Sequence, residues 1–476
     1  MSAVLKQLRA DRGRWLAELD AFLRIESVSA DPARADEVHR AADWVARQLT
    51  ALGLTDARVI RTSGHPIVTA SWLGAGPDRP TVLVYCHYDV QPEDPVEGWD
   101  SPPFVPTVTG DRLVARGAAD DKGWLVAHLA AARAWLSTTG GLPVNLRFLF
   151  DGEEETGSAG LAAHLAAHAD EFACDLVVVS DTSMLGPEQP SICVGMRGLA
   201  CLEVTVTGPT HDLHSGKYGG GVANPALVLA RMLAALHDAD GRVAVPGFYD
   251  RVVPLPAWQR AELAALPFDE ADWCASIGVP KPDGEAGFGT LERLWTRPTL
   301  EVNGLVSGYT GEGSKTIVPA RATAKISCRL VPDQRPEEIT ALVADRLRAL
   351  APPTVRVEVT PQHGGPPAVI DRDHPVLEVA ARAYTAGYGI APVFTREGGS
   401  VPIVELFQRV LGVEVLLLGF GLPDQNEHAP NEYLSLTNFA RGTETIAHLW
   451  RLLAEVDPAA LAPSRTTDSS RTPQKG

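Results

Sequence analysis

Apolar residues recur every three or four positions over residues 1–27 and 32–54, as in Trp15, Leu19, Phe22 and Leu23, then Ala42, Val45, Leu49 and Leu52. This period predicts two amphipathic helices. Apolar runs then alternate with helical segments: "TVLVYCH", a helix over 122–137, "VNLRFLFD", a helix over 158–169, and "DLVVVSD". Such alternation predicts an α/β layer with a mostly parallel central sheet. Near Met196 the texture changes. "GLACLEVTVTG" alternates apolar and polar residues, as a strand with one exposed face does. A helix at 224–238, about 60 residues rich in Pro, Gly and Trp, "LEVNGLVSGY", "ATAKISCRLVP", a helix near 336–350 and "TVRVEVTP" complete a second, α+β set. The α/β texture resumes with a helix at 374–387, "VEVLLLGF" and a helix at 436–454.

The expected architecture is therefore one domain inserted into another. Residues 1–197 and 366–460 form the larger α/β domain, 198–365 the smaller α+β insert, and 461–476 a tail without apolar periodicity, expected to be disordered. A chain of 476 residues is long enough for two such cores. The formal net charge of −17 argues against a nucleic-acid backbone or an anionic membrane as partner. The N-terminus lacks a signal-peptide run, and no segment reaches transmembrane length. The six cysteines form no CxxC pair and mostly sit in apolar segments. A reducing cytoplasm is the expected location, and a cysteine-based zinc site is not expected.

Candidate chemistry follows the apolar runs. In doubly wound sheets, sites form beyond the carboxyl ends of strands. "VLVYC" leads to His87 and Asp89, "DRLVARGAA" to Asp120 and Asp121, "LRFLF" to Asp151 and the glutamates 153–155, "LVVVS" to Asp181, and "VLLLGF" to Asp424, Glu427 and His428. Taken singly, each has an ordinary structural explanation: a core histidine, a helix cap, a solvated helix N-terminus. Delivered together to one edge, they make the ligand set of a divalent metal bound by imidazole and carboxylate. "GYTGEGSKT" and "TGSAG" fail the phosphate-loop and serine-elbow patterns. The tryptophans at 258, 273 and 295 are read as packing in the insert.

"CHYDVQP" (86–92), "ARGAADDKG" (115–123), "DGEEETGS" (151–158), "SDT" (180–182) and "NEHAPNE" (426–432) resemble the di-zinc metallohydrolases of the carnosine dipeptidase, dipeptidase V and glutamate carboxypeptidase group, over roughly residues 10–455. The resemblance implies a zinc-peptidase catalytic domain with a lid or dimerisation insert, and two Zn²⁺ per subunit, with Mn²⁺ or Co²⁺ fitting the same donors. It implies that His87 and Asp181 hold one metal, that Glu155 and His428 hold the other, and that Asp120 bridges them through a cis Asp120–Asp121 peptide. Glu154 becomes the general base for a metal-activated water, and Asp89 orients His87. In the insert, the resemblance makes His214 an oxyanion stabiliser reaching in from the partner subunit of a homodimer. It makes Arg329, Thr316, Ser400, His363 and Asn303 substrate contacts. Glu153 and His211 receive no role. The expected substrate is a dipeptide. N-acyl or N-carbamoyl amino acids, which also carry an amide beside a carboxylate, are the alternative.

Overall fold

The computed structural model describes residues 1–54, 56–399 and 402–463, and for Pro402 the backbone alone. It divides into two compact units, one made of Met1–Val194, Ile370–Thr395 and the chain from Leu406 onward, the other of Gly195–Val369 and Arg396–Glu405. The segment Arg396–Glu405, which the sequence pattern assigned to the larger domain, thus belongs to the smaller unit. Leu461, assigned to the tail, closes a short 3₁₀ turn (Pro458–Leu461) and is fully buried; residues from 464 on lie outside the described part.

The first unit is built on a twisted sheet in the order Arg58–Ile60, Ile67–Trp72, Asn145–Asp151, Thr81–His87, Leu176–Val179, Glu414–Leu417, Ser191–Met196. Its four central strands, from Asn145–Asp151 to Glu414–Leu417, run parallel. Antiparallel neighbours flank them on both sides. The central strands are mostly apolar and almost wholly buried, as strands covered on both faces must be. Their register decides what stands at the sheet's edge: His87 lies opposite Asp151, and Tyr85 opposite Val179. The residues that follow these strands therefore emerge side by side.

The helix Lys122–Thr139 is buried along almost its whole length, which its run of alanines permits. It packs on Leu436–Leu453 through Trp124, whose ring stands 5.1 Å from Phe420 and 5.8 Å from Phe439. A side chain at Gly123 would collide with the Ala118 carbonyl, so glycine alone lets this helix begin so tightly against the loop before it. The single N-terminal helix expected over 1–27 is two, Ser2–Ala10 and Arg12–Leu23, broken at Asp11. A separate small antiparallel sheet pairs Thr107–Thr109, Arg112–Val114 and Tyr433–Ser435. "DRLV" therefore does not belong to the central sheet, as the alternating pattern had suggested; its backbone groups pair with Tyr433–Ser435.

The second unit is an antiparallel sheet ordered Thr299–Ser307, Arg321–Leu330, Gly198–Thr207, Arg356–Gly365. Gly198–Thr207 alternates strictly between buried and half-buried residues. Its inward side chains Leu202, Val204 and Val206 meet Leu229 of helix Pro225–Ala234 and Val343 and Leu347 of helix Pro336–Leu350. The Pro- and Trp-rich stretch holds three short helices, Ala257–Ala264, Glu270–Ser276 and Thr290–Thr296. Buried Glu285 fastens it by accepting from Arg297 at 2.7 and 2.8 Å. Trp258, expected to pack, is 50% exposed.

Candidate metal centre

Two loops and three strand ends of the first unit converge on one cluster. His87, fully buried, ends its strand, and Asp181 stands two residues past Leu176–Val179. Asp120 stands two residues before the helix that begins at Lys122, and the Asp120–Asp121 peptide is cis, as the resemblance implied. Glu155 sits in a 3₁₀ turn, Glu154–Thr156, and His428 projects from the loop before Tyr433 with φ of 61°. Potential ligand atoms of His87, Asp120 and Asp181 lie within 4.8 Å of one another, and so do those of Asp120, Glu155 and His428. Asp120 belongs to both groups. Its Oδ1 is 2.9 Å from His87 Nε2 and its Oδ2 2.9 Å from His428 Nε2. His428 Nε2 is also 3.3 Å from Glu155, and His87 Nε2 is 3.9 Å from Asp181.

The turn that carries the glutamates is fixed from below. Asp151 Oδ1 accepts from the backbone N–H of Gly152 and Glu153, and its Oδ2 accepts from Ser158 Oγ at 2.6 Å. Asp89 accepts from Glu154 N at 3.1 Å, Glu155 N at 3.2 Å and Ser29 Oγ at 2.6 Å. It therefore reaches both sides of the site, because its backbone carbonyl lies 3.1 Å from His87 Nδ1 and its carboxylate 3.4 Å from the same atom. A ring nitrogen held this way leaves Nε2 free to point at Asp120. The chain turns at Glu154–Glu155, so consecutive side chains no longer alternate as they would in a strand.

The electrostatics of this pocket are lopsided. Asp120, Asp181, Glu154 and Glu155 crowd around two imidazoles. Burial opposes the protonation of His87, yet hydrogen bonds to Asp120 and Asp89 and the charge of Asp181 lift it well above the usual imidazole range. Hydrogen bonds to Asp120 and Glu155 raise His428 to about 11. Desolvation, opposed by His87 and reinforced by Asp181, Glu155 and Asp120, pushes Glu154 well above the ordinary carboxylate range. Burial and Asp120 raise Glu155 as well. The imidazole shifts come from the surrounding carboxylates, and those of the glutamates from burial first and neighbouring carboxylates second. Glu155 Oε1 is buried without a hydrogen-bond partner, although Gln91 donates to its Oε2 at 2.6 Å. An unpaired buried carboxylate oxygen, next to imidazole nitrogen and further carboxylates, fits a divalent cation.

Several supports were not legible in the motifs. Glu153, left without a role, is buried and accepts from the backbone N–H of His65, at 2.9 Å, and of Gly160. It does not face solvent. Glu432 and Arg116 form a fully buried ion pair at 2.7 Å. The signal for Glu432 was its place four residues after His428 in "NEHAPNE". Asp151, grouped by sequence with the candidate ligands, instead organises the turn, and Asp424 is exposed beside Arg112.

The remaining expected site residues belong to the second unit. His214 is exposed, and its Nδ1 accepts from Gly216 N at 3.0 Å. Exposed Thr316 receives Ser215 N on its carbonyl at 3.0 Å. Asn303 lies at a bulge of the edge strand Thr299–Ser307. Arg329 pairs in register with Thr299 and Leu199. His363 Nε2 is 3.7 Å from Cys201 Sγ. Ser400 falls outside the described residues.

An α/β domain that gathers two carboxylate–imidazole groups sharing one aspartate offers a candidate site for divalent metal. Residues 83–452 match the peptidase family M20/M25/M40, and the chain belongs to that family. It is 33% identical over 465 residues to the Cys-Gly metallodipeptidase dug1 of Schizosaccharomyces pombe, covering 94% of this chain and 97% of that one. It is 32% identical over 396 residues to the human Beta-Ala-His dipeptidase, covering 82% and 78%. A solved M20 metallo-carboxypeptidase, Sso-CP2 of Sulfolobus solfataricus, has a TM-score of 0.83 at 32% identity, covering 93% of this chain and 99% of that one. The sequence resemblance to the carnosine dipeptidase group thus holds, as does the expected fold class, and metal binding goes with the family.

Proposed function

We propose that the chain is a metal-dependent dipeptidase with two divalent cations, Zn²⁺ in the first instance, one held by His87, Asp120 and Asp181 and the other by Asp120, Glu155 and His428. The observation that carries this reading is the pair of ligand groups sharing Asp120. When bound, such ions would polarise the scissile carbonyl and make water acidic enough to lose a proton near neutrality. The chain's own part centres on Glu154. It stands in the turn beside the ligand Glu155, and a carboxylate there can take a proton from water and return it to the leaving amine. Asp89 holds the Glu154 and Glu155 amides and faces His87, so one carboxylate fixes the base and a ligand together.

In this reading Arg329 grips the free carboxylate of the substrate, for which a guanidinium fork is suited. Asn303, Thr316 and His363 are further substrate contacts, as is Ser400, which lies outside the described residues. His214, which is exposed, stabilises the oxyanion from the partner subunit of a homodimer. The six cysteines form no disulfide, which favours a reducing, cytoplasmic setting. Among the described residues no helix is long and apolar enough to cross a membrane. The relatives sharing about a third of the sequence are named as peptidases, which favours a peptide over an N-acyl amino acid. A panel of dipeptides against N-acetyl and N-carbamoyl amino acids, with and without chelator, tests the reading. Chelator-sensitive cleavage of dipeptides is expected; preferred cleavage of N-carbamoyl substrates would overturn it.

A further inference from the structure

The group Asp120, Glu155 and His428 draws two of its members from loops that leave adjacent, paired strands. Val114 lies opposite Tyr433, and Ala115 N donates to the Glu432 carbonyl at 3.1 Å. From that point one loop runs to Asp120, and the other, traced backwards, runs to His428. The Glu432 side chain crosses between them. Its Oε2 accepts from Arg116 Nη1 at 2.7 Å and Gly117 N at 2.9 Å. Its Oε1 accepts from Ala119 N at 2.9 Å and from Asp120 N itself at 3.1 Å. The residue is fully buried, and both oxygens are saturated. Arg116 continues the link by donating to the Pro92 carbonyl at 3.0 Å. Pro92 adjoins Gln91, the donor to Glu155 Oε2.

A buried ion pair can simply fill space, and apolar residues of similar volume often do as well. Three of the four donors here, however, are backbone N–H groups of the loop that ends in the shared carboxylate, and no apolar side chain can hold those. The His428 loop needs such an anchor. Asn426, His428 and Asn431 all adopt left-handed φ, at 55°, 61° and 63°, a conformation that the surroundings must impose.

We propose that Glu432 is a positioning residue that sets the separation between Asp120 and His428 and thereby the affinity for the cation they share; this rests on the metal reading above. The test strips the full-length chain with chelator and titrates Zn²⁺ back against a chromophoric competitor. Wild type is compared with Glu432→Gln and with the double variant Arg116→Met/Glu432→Gln, which leaves no unpaired buried charge and guards against loss of folding. The expected result is a 10- to 100-fold weakening of the weaker-bound ion in each variant that folds. Binding of both ions within twofold of wild type, even where the metal-free variant unfolds more readily, would overturn the positioning role. Wild type that takes up no Zn²⁺ would overturn the metal reading itself, a distinguishable failure.

Discussion

Asp89→Asn tests the link between the base and the ligand shell. The substitution keeps the shape and removes one acceptor. Asp89 accepts three hydrogen bonds with its two oxygens, from the amides of Glu154 and Glu155 and from Ser29 Oγ, and it is fully buried. Asparagine retains one carbonyl oxygen and turns an NH₂ toward whichever amide loses its partner. The loss is at least one charge-assisted hydrogen bond, about 1.5–3 kcal/mol, and a stranded buried N–H adds about 1–3 kcal/mol. The turn can relieve part of that cost by moving, and a movement of the turn moves Glu154. A misplacement of about 1 Å in a reacting group costs about 10²-fold in rate. We therefore expect kcat on a dipeptide at saturating metal to fall about 10²-fold, with a weaker hold on metal besides, because the same carboxylate supports Glu155 and His87. Steady-state kinetics with metal analysis on the same preparation decides it. A kcat within about threefold of wild type would refute the claim that Asp89 positions the base.

Glu153→Ala leaves the amides of His65 and Gly160 unpartnered and should cost about 1–3 kcal/mol for each, read as a lower urea midpoint with rates per folded molecule preserved. Glu155→Gln should instead bind one cation fewer by metal analysis, with a smaller change in the urea midpoint than Glu153→Ala. Mixing His214→Ala with Glu154→Gln subunits should restore activity if His214 serves the neighbouring site; no recovery in a verified mixed dimer would place His214 elsewhere.

The central strands and their order of use were legible because buried parallel strands are written as unbroken apolar runs, and the residues after them announce themselves. His87 and Asp181 follow such runs, and the structure brings them into one candidate ligand group. Asp120 and His428 join the same cluster, though neither follows a strand of the central sheet. Their loops leave a separate small sheet whose three-residue strands carry no readable period. Glu432, Arg116 and Glu153 stayed silent for a different reason. A buried charge is visible in sequence only through its partner, and the partners here are backbone amides or a residue more than 300 positions away. The glutamate run shows the same limit. Its composition pointed to a cation, whereas the division of labour depends on a turn: Glu153 faces inward to hold the chain, and Glu154 and Glu155 face the site. Assignment of Arg396–Glu405 to the smaller unit likewise depends on contacts distant in sequence, which no local pattern reveals.

The most direct test of the account is to measure divalent metal content and dipeptide turnover together in wild type and Glu154→Gln. The account predicts about two ions per chain in both proteins, with turnover in Glu154→Gln reduced by at least about 10²-fold. Full turnover by the variant, or by wild type rigorously freed of metal, would contradict it.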